Sequence, residues 1–300
     1  ASGLSFSQLN ETIRHAGKEC RICACQGQRF IAAGMSSKRL EIDGIPGNAL
    51  GAYLGGGSIT VNSNAQDAVG DTMSAGRIVI HGSTGDAAGY AMRGGEIFIR
   101  DNAGYRAGIH MKAYKQHKPV IVIGGRAGSF LGEYQAGGLI LVLGLHTDGR
   151  PVVHFFPCTG MHGGKMVFRG DVSNIRFPDQ VSLHSAAAED MAEIRPYVQE
   201  YARLFGRDAD VARRIAGAAI DDDAPGVHGV AYGVLGVAVD GDGAAAQICA
   251  QRVAGYAVND QRPAAHAGGN EPLPLTGADA ALIPGAAYGF VQLGEGKLPR

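Results

Sequence analysis

Three groups of residues have the types and spacing that carry chemistry. Cys20, Cys23 and Cys25 form C-x2-C-x-C within KECRICACQGQ, and thiolates at such spacing can bind zinc or join an iron-sulfur site. No second cysteine pair follows nearby, residues 23 and 25 point the same way only in a strand, and cysteine is a common small core residue. The balance falls on a structural role, with no metal expected. His154, Cys158 and His162 recur at four-residue spacing, which on a helix would turn one face to a metal. His110 and Lys112 flank Met111 next to Lys115, His117 and Lys118, a basic cluster suited to a phosphate contact or to a solvated loop touching a partner subunit. The surface habit of loops favours the second reading. No nucleophile elbow, Walker motif or zincin helix is present, and runs such as GGRAG do not sit between a strand and a long helix as a dinucleotide fingerprint must. No catalytic residue and no bound cofactor are expected in this chain.

The elements that position these residues follow from glycine. Glycine makes up 47 of 300 residues, without the third-position period of collagen, and such a bias calls for a repeat search. Sliding the sequence by nineteen aligns Gly51, Gly70, Gly89 and Gly108, then Met73, Met92 and Met111, then Gly57, Gly76 and Gly95. Each unit reads as Gly-x3-Gly-x2-Met-x-Gly-Gly followed by a short β-branched run. Insertions around AYKQHKP and within GLHTDGRPVVHF carry the register on to Gly132, Gly138 and Gly164, and insertions in repeats map to loops. Cys158 falls at a glycine corner of this alignment and His162 in a turn, so their helical spacing loses its meaning.

Two alternating columns test the alignment. Leu40, Ile59, Ile78, Ile97, Ile121, Ile140 and Met166 form one, and Ile42, Val61, Ile80, Ile99, Ile123, Val142 and Phe168 the other. All are apolar. A unit with one inward strand and glycine corners buries those columns by coiling into a β-helix, with strands stacked about 4.8 Å apart. The expected fold is mainly β: a right-handed parallel β-helix of about seven coils, its hand set by the usual chirality of parallel crossovers. Asn48, Asn64 and Asn102 are expected at corners with positive φ.

The open ends of such a rod need covers. SFSQLNETIRHAG has a capping box from Ser5 to Gln8 and a Leu9/Ile13 pair, which predicts a short helix. Met191, Ile194, Val198, Tyr201 and Phe205 recur at helical spacing and stop at Gly206. Pro196 predicts a kink or a second helix beginning there. ADVARRIAGAAI predicts one more. The organisation is a cap over residues 1–27, the repeat over 28–170, helices over 171–220 and an Ala/Gly-rich extension over 221–300, where only VAYGVLGVAV and ICAQRVAGYAV show periodicity.

The formal net charge of -1 creates no field to draw nucleic acid or anionic lipid. No stretch approaches the roughly eighteen apolar residues of a membrane span, and ASGLSFSQLN lacks a signal-peptide pattern. A cytoplasmic chain with reduced thiols is expected, since five cysteines do not make a disulfide framework. Polysaccharide-active β-helices present grooves of acids and aromatics, whereas this chain has no Trp and its outward strand positions, as at Arg77, Glu96 and Lys165, read as mixed and unclustered.

The run from GNALGAYLGGGSITV to AGGLILVLGL resembles the glycine-repeat (GXGXG) domain at the carboxyl end of the large glutamate synthase subunit, over about residues 4–215. It is similar to the stand-alone forms of that domain, among them archaeal glutamate synthase subunits and the middle subunit of methylamine-glutamate N-methyltransferase (N-methylglutamate synthase). The C subunit of formylmethanofuran dehydrogenase is a more distant likeness. The resemblance implies a non-catalytic scaffold in a cytoplasmic hetero-oligomer, bracing a glutamine amidotransferase subunit against an FMN-containing synthase subunit. FMN, and in the wider family an iron-sulfur cluster, would then reside in partner chains.

Overall fold

The computed structural model describes residues 1, 3–145, 147, 149–170 and 172–206, together with the backbone of 232–236. The chain divides into two compact units, Ala1–Ala245 and Ala246–Arg300, and the described residues lie in the first. The helix expected at 209–220, the second apolar stretch of the extension and Cys249 fall outside them.

The first unit is a parallel β-solenoid of about seven turns. Helix α1 (Phe6–His15) precedes the strands β1 (Glu19–Gln26), β2 (Arg39–Ile45), β3 (Gly55–Val61), β4 (Ala75–Ile80), β5 (Glu96–Ile99), β6 (Val120–Ile123), β7 (Ala136–Val142) and β8 (Gly163–Arg169). Each pairs in parallel with the next along the chain. Leu40 lies opposite Ile59, Ile59 opposite Ile78, and so on to Ile140 opposite Met166. Every member of both columns is fully buried. β1 extends the stack one strand further back, with Cys20 opposite Leu40 and Ile22 opposite Ile42.

The remainder of each coil is held by an unusual backbone. Three alternate residues per corner have positive φ: Ala49, Gly51 and Tyr53 in one coil, then Ala68, Gly70 and Thr72, Ala87, Gly89 and Ala91, Arg106, Gly108 and His110. The central N–H points to the preceding coil, as Gly70 N–H donates to Leu50 O at 2.8 Å, while the flanking pair point forward, as Ala68 donates to Asp86 O and Thr72 to Tyr90 O, both at 2.7 Å. The left-handed conformation, which costs about 1 kcal/mol or more outside glycine, is thus held in place by hydrogen bonds that would otherwise be lost in a buried backbone. In the middle coils the central glycine is favoured for a second reason. A Cβ on Gly89 would lie 2.5 Å from Ile121 Cδ1.

Asparagine does not occupy these left-handed sites. Asn48, Asn64 and Asn102 are absent from the positive-φ residues. Asn64 Oδ1 instead accepts from Ser83 N–H and Asn102 Oδ1 from Arg126 N–H, both at 2.8 Å, and Asp67 and Asp86 likewise accept from Asp86 N–H and Tyr105 N–H of the following coils. That side of the rod selects for acceptors that bridge coils, which corrects the expectation of positive φ there.

Both ends are covered. The capping box between Ser5 and Gln8 forms, and Leu9 and Ile13 join the rod's core. Asn10 Oδ1 accepts from Ala32 N–H at 2.8 Å and its Nδ2 donates to Phe30 O at 2.9 Å. Ala32 is the central corner residue of the first coil, so Asn10 supplies the acceptor that a preceding coil would have offered. At the other end Val172 and Val181 join the same core, with Ile175 and Phe177 packed against it. The backbone of β10 (Tyr232–Gly236), within the VAYGVLGVAV stretch, runs antiparallel between β8 and β9 (Ser182–Ser185).

Helix α2 (Ala188–Phe205) is one continuous helix with Pro196 inside it, rather than the pair of helices Pro196 allows. Gly206 ends it with φ -77. The outward residues Val79, Phe98, Val122, Leu141 and Val167 form a second apolar cluster, closed by Ile194, Val198, Tyr201 and Phe205 of α2. Arg77 pairs with both Glu96 and Glu200, Lys165 with Asp190 and Glu193 at 2.6 Å each, and Lys118 with Glu193. The outward charges are therefore clustered, contrary to their appearance in the sequence, because a helix far along the chain brings their partners.

Candidate functional site

His110, the first residue of the expected contact cluster, sits at a left-handed corner with φ 54. Its ring stacks on Tyr134 at 5.1 Å and 12° and meets Tyr90 edge-on at 6.0 Å. The corner backbone fixes the direction in which these side chains leave the coil, so residues at equivalent repeat positions share one face. Lys112 and Lys115 are exposed beside it. Lys115 is carried on the inserted loop, whose Tyr114 and His117 form a small antiparallel bridge, and its Nζ lies 5.3 Å from the Tyr114 ring centroid. Lys118 departs from this group, being committed to Glu193 of α2.

The same face continues toward the last coils through residues that the spacing of charged and thiol groups did not single out. Arg106 lies over the Phe130 ring at 5.2 Å and bonds Glu133 at 2.9 Å. Phe130 stacks on Phe156 at 5.5 Å, and Phe155 lies 6.2 Å from Phe156. Tyr53, Phe155 and Phe156 are 64%, 72% and 62% exposed, large values for aromatic rings. The signal for them was the repeat itself: Arg106, Phe130 and Phe156 fill the position two before the corner, and Tyr53, His110 and Tyr134 the position two after. Tyrosine, phenylalanine and arginine on one exposed surface have the composition of a protein contact.

The thiols do not converge. Ala24, with φ 53, forms part of a bulge in which the register shifts between Ile22 and Cys25. Cys25 is therefore buried while Cys23 stays exposed, so residues 23 and 25 face apart although they lie in a strand. Cys20 Sγ donates to Gly17 O at 3.4 Å, Cys23 Sγ lies 3.9 Å from Asp43 Oδ2, and Cys25 Sγ lies 3.3 Å from Gln28 Oε1. Burial pushes the Cys25 thiol up and holds Cys158 at about 12. Cys158 occupies the central corner position with φ 63 and packs on Met166 Sδ at 3.5 Å, while His154 and His162 are exposed outside the strands. Among the described residues no three of His, Cys, Asp and Glu are grouped to hold a metal. No described helix is long and apolar enough to cross a membrane.

The chain belongs to the GXGXG motif family, which it matches over residues 7–216. It is 44% identical over 226 residues to the uncharacterized protein MJ1350 of Methanocaldococcus jannaschii, covering 72% of this chain and 87% of that protein. Among solved structures it is similar to a chain of the formyltransferase/hydrolase complex of Methylorubrum extorquens in complex with methylofuran, at 20% identity and a TM-score of 0.48, over 66% of this chain and 70% of that one.

Proposed function

We propose that this protein is a non-catalytic scaffold subunit of a glutamate synthase-type complex, bracing a glutamine amidotransferase subunit against an FMN-containing synthase subunit. The observation that carries this reading is the face running from Tyr53 past His110 and Tyr134 to the half-buried Phe130, where aromatic and basic side chains are presented on a rigid backbone. Among the described residues the outer sheet face is covered by α2, whereas this face carries exposed rings with no element of the chain packed over them. Rings held rigidly lose little entropy on docking. FMN and any iron-sulfur cluster belong in this reading to the partners. The equivalent subunit of N-methylglutamate synthase would use the same face, because the choice between ammonia and methylamine is made in the catalytic chains.

Purification of a tagged chain from its native source is expected to bring down a glutamine-hydrolysing chain and a chain with flavin absorbance. Replacing Tyr134 and Phe130 together by Ser should release them while the circular dichroism of the rod is retained. Recovery of the chain alone, or of an enzyme fully active without it, overturns the proposal.

A further inference from the structure

The second insertion builds a cleft beside the last coil, at the end of the aromatic face, with which it shares Phe155 and Phe156. Arg150, His154, Phe155, Phe156, Arg169 and Arg176 are among the residues that line it, and its volume is about 630 Å³. That is within the range of small-molecule pockets. Arg169 is anchored through Nη1, which donates to Leu143 O at 3.1 Å, and its buried Nε–H has no acceptor among the described residues. A buried donor without an acceptor is uncommon in folded proteins. Arg176 has no acidic partner among the described residues and is exposed. Apart from the bond to Leu143 O, no hydrogen bond or ion pair among the described residues engages these two guanidinium groups.

The rim has a different character. Phe155 and Phe156 are the two most exposed phenylalanines among the described residues, and left-handed backbone at Phe156, φ 58, holds its ring outward. Phe155 also meets the His154 ring at 5.9 Å. An arginine floor suits an oxyanion, which accepts the planar fork of a guanidinium. A wall of exposed rings suits a flat apolar group, since aromatic faces pair by offset stacking.

We propose that this cleft binds a small ligand carrying an oxyanion on a flat ring, the anion held by Arg169 and Arg176 and the ring laid against Phe155. The proposal does not depend on the scaffold role. Calorimetric titration of the full chain tests it with three probes: adenosine monophosphate for a phosphate on a ring, benzoate for a carboxylate on a ring, and adenosine for the ring alone. Saturable binding of either anion with one site per chain, weakened at least tenfold by Arg176→Gln and by Phe155→Ser, supports the site, and the anion that binds identifies its source. Both substituted residues are exposed, so an unchanged melting temperature separates loss of binding from loss of fold. Binding of neither anion, adenosine binding as well as the monophosphate does, or affinities indifferent to both variants overturns the proposal.

Discussion

At Gly89 two costs coincide. Valine there would have to hold φ near +72, an outlier for a β-branched residue, and would press on Ile121. Gly89→Val is expected to lose roughly 3 kcal/mol or more in urea unfolding, from left-handed strain and overpacking together. Ala91→Gly is the contrast. With φ 49 it relieves strain of about 1 kcal/mol but adds a similar entropy to the unfolded chain, so the midpoint should hardly move. The cysteines divide along the same lines of environment. Cys23 is exposed and Cys158 is buried with its thiol pushed up to about 12, so an alkylating reagent at pH 8 should modify Cys23 within minutes and reach Cys158 only on unfolding. Rapid native labelling of Cys158 would contradict its placement in the core.

Helix α2 is bound to the rod by an apolar seam and a frame of ion pairs, and the two respond differently to acid. The bond from Lys165 is the main cause that holds Asp190 below the ordinary carboxylate range, and the bond from Arg203 does so for Glu200 with Arg77 adding to it. A lowered carboxylate stabilises the folded state above its unfolded pKa of about 4, and that contribution disappears as pH falls through the folded value. His81, against Phe205 at 5.0 Å, behaves likewise at higher pH: burial, aided by Arg100, lowers it from 6.5. Its neutral form is favoured in the fold, so stability is full above pH 6.5 and falls as acid protonates it. Hydrogen exchange of α2 amides should therefore quicken in two stages on acidification, the upper stage vanishing in His81→Leu. Tyr201 Oη donates to Arg100 O at 2.6 Å in a slot open because residue 124 is glycine. Tyr201→Phe should cost about 1 kcal/mol, and Gly124→Ala considerably more.

For the molecule as a whole, the end covers decide whether the rod stays separate. Asn10 supplies the bonds of a missing coil, and an uncovered coil would offer its backbone groups to another chain. Asn10→Ala should lower the melting temperature by a few degrees, a change of about 1 kcal/mol for one lost bond to a buried donor. Removal of residues 1–16 should produce concentration-dependent association in sedimentation velocity, and a monodisperse species would count against the capping role.

The solenoid was legible because its repeat is local: Gly, Met and the Ile/Val columns recur at fixed offsets, and identical coils solve the burial problem in the same way each time. The capping box of α1 and the apolar stripe of α2 could be read for the same reason. Position within the repeat also marked the face that His110, Phe130 and Tyr134 share, although charge and thiol spacing drew attention first. What the sequence could not disclose depends on partners distant along the chain. Ala24 takes a bulge that turns Cys23 from Cys25 because β2 lies beside it, Arg77 and Lys165 find their acids only when α2 folds back over the sheet, and Asn64 bridges coils instead of turning a corner. Periodicity determines which residues face inward; the satisfaction of the remaining polar groups is a property of the assembled surface, and only the tertiary structure decides it.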